Sequence, residues 1–141
     1  MRKDTGFSLI ELMTVLAILA ILSSIAIPSL FKWLPKQRVG SAAREVKSTL
    51  EFARINAIKT NADVIVAFDN DSLTVTSGGT TLRTRQLPDD VDLVEKDLVS
   101  PVTFNGHGFS DKSGGVAVVN TSDNMLSRNI TLSTGGNTRI Q

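Results

Sequence analysis

The residues with the most chemistry to offer stand near the start of the chain: the pair Gly6-Phe7 and, four residues beyond Phe7, Glu11. Residues 7–31 contain no Lys, Arg or Asp, and Glu11 is their only charge. A carboxylate near the start of a membrane-length helix is disfavoured by roughly 2.5 kcal/mol or more, so it calls for a functional reason and a named partner. A cut between Gly6 and Phe7 supplies that partner. It creates an α-amino group on Phe7, and on a helix residues i and i+4 lie on the same face. The expected chemistry is therefore processing of a precursor, which generates the cation that the acid in its apolar helix requires.

The element that must position this pair is the apolar run itself. As a helix, residues 7–27 measure about 31 Å, close to the roughly 30 Å hydrocarbon core of a bilayer. Arg2 and Lys3 precede the run and predict a cytoplasmic N-terminus with the remainder outside. An ordinary secretory signal fits less well, because its apolar core would be about 7–15 residues with a small-residue cleavage site after it. Here the run is longer and the small residue comes before it. Pro28 removes a backbone donor and clashes with the carbonyl of Ser24, which predicts a helix kink; a proline marking the membrane exit is the other reading. Ser23 and Ser24 are placed to bond the freed backbone groups, and Pro35 adds a second weak point.

Gly6-Phe7-Ser8-Leu9-Ile10-Glu11-Leu12 resembles the class III signal of type IV prepilins and pseudopilins. The resemblance implies cleavage by a prepilin peptidase after Gly6, N-methylation of Phe7, and packing into a helical filament with Glu11 as the assembly residue. It also implies a segment at Pro28 that loosens on filament entry. The partners implied are other pilin or pseudopilin subunits, the inner-membrane assembly platform and the lipid bilayer.

The expected domains are a leader at 1–6, a transmembrane or filament-core helix at 7–34, and a periplasmic domain at 35–141, all in a single-pass inner-membrane protein. The last is one domain of about 100 residues. The chain has 15 basic and 14 acidic residues, and removing Arg2, Lys3 and Asp4 leaves a formally neutral remainder with no global drive toward nucleic acid. There is no cysteine, which rules out disulfides, thiol catalysis and thiolate metal sites.

Beyond Pro35, the apolar positions Val39, Ala43, Val46, Leu50, Ala53 and Ala57 alternate spacings of four and three. They predict one core-facing helical stripe to about Thr60, with Asn61 as a stop. Residues 32–59 hold seven Lys or Arg and two Glu, a basic collar suited to anionic headgroups or to solvation. Strands are expected at 63–68, 73–76, 81–85, 91–95, 102–104, 116–119 and 130–132, with a hairpin on Gly78-Gly79. The fold class is α+β: a long N-terminal helix whose outer half packs on an antiparallel sheet.

Residues 102–109 followed by 114–118, with Arg128-Asn129-Ile130-Thr131-Leu132-Ser133, Gly135 or Gly136 and Arg139, are similar to the β-region of the GspH/FimT family of minor pseudopilins and minor pilins. The similarity implies a structural subunit that primes or caps a type II secretion pseudopilus or a type IV pilus. A DNA-binding minor pilin for uptake in natural transformation and a major pilin are the alternatives. Some relatives take up DNA through a C-terminal Gly-Arg-any-Arg segment. Here that stretch is Gly136-Asn137-Thr138-Arg139, so Arg139 alone remains, with Arg83, Arg85 and Arg128 as cations that would have to join it. One cation neutralises little phosphate, and the expectation is against nucleic acid as a partner.

No enzyme is expected and no cofactor is called for. His107, between Gly106 and Gly108, is the only histidine, which excludes a histidine triad or a His-rich metal site and suits a turn. Counted from Asp69, a calcium loop would need Gly and Glu where Thr74 and Thr80 stand. The acidic residues Asp89, Asp90, Asp92, Glu95 and Asp97 suit a solvated loop, with an irregular cation site as the other reading.

Overall fold

The computed structural model describes residues 7–141, with residues 28–30 and 32 described in backbone only. Helix α1 (Leu9–Thr60) is followed by eight strands: β1 (Val64–Phe68), β2 (Ser72–Ser77), β3 (Thr80–Gln86), β4 (Val91–Glu95), β5 (Val102–Phe104), β6 (Gly114–Asn120), β7 (Ser127–Leu132) and β8 (Thr138–Ile140). Contacts divide the chain into two compact units, which meet between Leu34 and Pro35. The first is helical throughout its described length apart from Phe7 and Ser8, and the second contains all the strands.

In the second unit the helix ends where Asn61 adopts a left-handed conformation, φ 48°. The Ala62 N–H then donates to the Ala57 carbonyl at 3.3 Å, so a carbonyl left over by the helix end is satisfied. The expected stripe is the buried face: Val39, Ala43, Val46, Leu50, Ala53 and Ala57 are all buried, joined by Ala42 and Thr49. The small side chains let the strands approach closely. The opposing layer comes from inward residues such as Val66, Val75, Phe104, Val118 and Ile130, all in the same core.

The strands form the antiparallel layer expected of an α+β fold, divided into two four-stranded sheets with orders β3-β2-β1-β5 and β4-β6-β7-β8. The first has the expected hairpin, in which Ser77 faces Thr80 across Gly78 and Gly79. Both glycines have positive φ, as a two-residue hairpin turn demands. Strand β8 was not expected. Its inward residue is Thr138, and three residues without apolar alternation leave little trace in a sequence.

Leu50 lies at the middle of the stripe and is fully buried. Leu50→Ala is expected to lower stability by about 2–5 kcal/mol in urea unfolding of the second unit. Leu82→Ala, at an exposed position, is expected to change it by no more than about 0.5 kcal/mol.

Candidate assembly site

The apolar segment Leu9–Ile27 is long enough to cross a membrane, and none of it is buried within the protein. Helix α1 starts where the Ser8 carbonyl accepts from the N–H groups of Glu11 (3.1 Å) and Leu12 (3.2 Å). Glu11 is thus in the first helical turn, where the positive end of the helix dipole favours a carboxylate. Ser8 and Glu11 have the spacing of a capping box, a signal present in the sequence but overlooked in its reading. Phe7 and Glu11 are both exposed, so the acid is open to a partner. Gly6, the other half of the expected cleavage site, lies outside the described residues.

Polar groups along the span are satisfied within the helix. The Thr14 hydroxyl donates to the Ile10 carbonyl and the Ser24 hydroxyl to that of Ile21, both at 2.7 Å. Ser24 therefore does not serve its own carbonyl, the one that Pro28 would deprive of a donor. The backbone is helical through Pro28 and Pro35. The side chain of Pro28, on which the expected kink depends, lies outside the described residues.

The two arginines considered for DNA contact do not come together. Along β7, Ile130 and Leu132 point into the core and Thr131 points out. Arg139 pairs in register with Thr131, so it shares the outer face, whereas Arg128 has the inward parity of Ile130 and lies exposed beyond the core. Arg83 and Arg85 are committed elsewhere. The Arg83 guanidinium lies 3.7 Å from the centre of the Phe52 ring, and Arg85 pairs with Glu45 at 2.9 Å. The grouping that would have supplied several phosphate contacts is not built.

The acidic run is likewise dispersed. Asp90 pairs with Arg38 at 3.0 Å, and a Glu95 oxygen accepts from the Ser100 N–H at 2.8 Å. Among the described residues no three His, Cys, Asp or Glu side chains converge as metal ligands. His107 is exposed in a turn where the Asn105 side-chain oxygen accepts from the N–H groups of His107 and Phe109, each at 3.0 Å.

Arg54 carries a feature that sequence reasoning missed. Its Nε–H donates to the Gly108 carbonyl at 3.0 Å and an Nη1–H to the Asn137 Oδ1 at 3.1 Å. One helix side chain therefore ties the β5–β6 loop, which connects the two sheets, to the β7–β8 turn of the second sheet. Asn137, which takes the place of the first arginine in the DNA-uptake segment, accepts a cation here instead of supplying one. Gly136 allows this closure. Its φ is +73°, and a Cβ there would run into the Gly108 carbonyl and the Arg54 side chain.

A helix with a bare apolar N-terminal half, its other half covered by antiparallel strands, defines the pilin-like class. The fold resembles the type IV minor pilin FimU of Pseudomonas aeruginosa strain PAO1, with a TM-score of 0.64 at 20% identity over 74% of this chain and 89% of that one. It also resembles the minor pseudopilin EpsH from the type 2 secretion system of Vibrio cholerae, with a TM-score of 0.60 at 15% identity over 74% and 96%. No curated protein sequence matches significantly. Residues 42–136 match the family model of the type II transport protein GspH, and residues 1–27 match the prokaryotic N-terminal methylation motif. The chain belongs to the GspH family of minor pilins and pseudopilins. The methylation motif implies processing by a prepilin peptidase and assembly with other pilins.

Gly136→Ala is expected to destabilise the second unit by about 2 kcal/mol or more, since it combines a left-handed backbone with a steric clash. Faster amide exchange in residues 105–109 and 133–137 would accompany it. An unchanged unfolding midpoint would show that the clamp contributes nothing.

Proposed function

We propose that this chain is a minor structural subunit that primes or caps a pilus or secretion pseudopilus. Prepilin peptidase cuts it after Gly6, Phe7 is N-methylated, and the inner-membrane assembly platform then draws it from the bilayer. The observation that carries the reading is the wholly unburied apolar segment Leu9–Ile27 with its single carboxylate. A segment of this kind is at rest in lipid or against equivalent helices, and not in water. In the filament Glu11 pairs with the Phe7 amine of its own or an adjacent subunit. Before assembly the N-terminus is cytoplasmic and residues 35–141 are periplasmic. The dispersal of Arg83, Arg85, Arg128 and Arg139 gives no support to DNA uptake as a second role.

Glu11→Ala removes the charge without touching any buried group of the second unit. The variant is expected to stay in the membrane fraction under alkaline carbonate extraction and to be lost from sheared filaments. Incorporation at the normal level would contradict the pairing. In quantitative mass spectrometry of sheared filaments the chain is expected to be scarce relative to the main subunit, and dominance there would make it a major pilin.

A further inference from the structure

We propose that the second unit carries a docking cleft for an acidic segment of a different filament subunit. Lys36 and Arg128 take a carboxylate there, and Met125 packs on an apolar side chain beside it. The inference deepens the reading of the chain as a filament subunit and rests on it.

The cleft lies wholly within the second unit. It measures about 200 Å³ and is lined by Lys36, Val39, Met125, Leu126, Ser127 and Arg128. Its base is apolar, since Val39 is buried and Leu126 packs against the core. Lys36 and Arg128 are exposed above it. Most described cations of this unit are already engaged. Arg38, Lys47 and Arg85 pair with acids, and Arg83 lies over Phe52. Arg44, Arg54, Lys96 and Lys112 donate to neutral oxygens. Lys36, Lys59, Arg128 and Arg139 are left, and of these Lys36 and Arg128 line one cleft. Two uncompensated cations so placed repel one another, and a carboxylate between them relieves that repulsion.

A small anion alone would leave the apolar part of the cleft unused. Met125 is 92% exposed in the β6–β7 loop, and the loop backbone holds it there. Asn120 Oδ1 accepts from the N–H groups of Ser122 (3.1 Å) and Asp123 (2.9 Å), and Asp123 Oδ1 accepts from the Met125 N–H at 3.0 Å. The carboxylate of the loop thus turns back into it, and Asp90 is held by Arg38. A nucleic acid would need a track of cations to meet successive phosphates. The two other free cations do not extend one: Lys59 is about 34 Å further along α1, and Arg139 lies on the outer face of its sheet. Methionine and arginine are enriched at protein interfaces, and a flexible thioether adapts to the side chain it meets. A loop already fixed by its own hydrogen bonds also loses little freedom on binding. Two cations, an apolar base and an outward methionine match a protein segment with Asp or Glu beside an apolar residue.

The test uses the full-length chain in cells that build the filament, with the photo-cross-linker p-benzoylphenylalanine in place of Met125. After irradiation, cross-linked peptides are identified by mass spectrometry. A cross-link to another pilin or pseudopilin subunit is expected, at a segment with Asp or Glu beside an apolar residue. Lys36→Glu with Arg128→Glu is expected to lower its yield by about tenfold or more, because like charges across an interface are strongly disfavoured. Lys59→Glu with Arg139→Glu makes the same change in net charge at free cations outside the cleft, and is expected to leave the yield within about twofold. Replacing the cross-linked carboxylate of the partner by lysine is expected to restore the yield in the charge-reversed chain. A cross-link to a segment without a carboxylate, equal loss in the two paired variants, or failure of the rescue overturns the proposal. So does capture of lipid alone, or of nothing. Sheared filaments separate the premises. If the chain is found in them and the cross-links fail, the cleft alone is refuted. If it is absent from them, the subunit reading falls and the cleft with it.

Discussion

A long apolar helix without a covering layer is the constraint on which the rest of this structure depends. Fully burying one Leu or Ile side chain is worth about 1.5–3 kcal/mol, so leaving Leu9–Ile27 in water would be unfavourable by on the order of tens of kcal/mol. The core of the second unit is built without any residue of that segment. The segment must therefore be covered by lipid or by other helices. Glu11 converts that general need into a specific one, because a carboxylate tolerates either environment only with a cation beside it. Cleavage at Gly6-Phe7 would provide that cation within one helical turn.

The second unit meets the opposite requirement with the same element. From Val39 to Ala57 the helix carries small and branched side chains on one face, and two sheets close over it. Its other side chains reach the strands and their loops through Arg38 with Asp90, Glu45 with Arg85, Phe52 beneath Arg83, and Arg54 with the Gly108 carbonyl and Asn137. Each is partly exposed and individually modest in energy. Arg54 holds the β5–β6 loop against the β7–β8 turn, together with the Ser110 N–H that donates to the Thr134 carbonyl at 3.0 Å, in a domain without disulfides.

Features with short-range rules were legible in the sequence. The helical stripe follows a spacing of three and four, the Gly78-Gly79 hairpin follows turn chemistry, and Asn61 ends the helix where a residue tolerant of positive φ was expected. Features set by pairing were not. Alternation locates β4 and β5 but does not say that they belong to different sheets. The Arg54 contacts join residues 54 and 83 positions apart, with no local pattern to mark them. The separation of Arg128 from Arg139 depends on strand register, since a shift of one residue would put them on the same face. The Ser8-to-Glu11 spacing at the start of α1 is also a short-range signal, that of a capping box.

Intact-mass analysis of the chain from membranes of cells with an active prepilin peptidase tests the central claim most directly. If the acid of the apolar helix is matched by a cation made through processing, the mass corresponds to residues 7–141 plus one methyl group, carried on the Phe7 amine. A mass that retains Met1 to Gly6 in cells whose other prepilins are cut would mean that Glu11 has no such partner, and the account of the helix would fail with it.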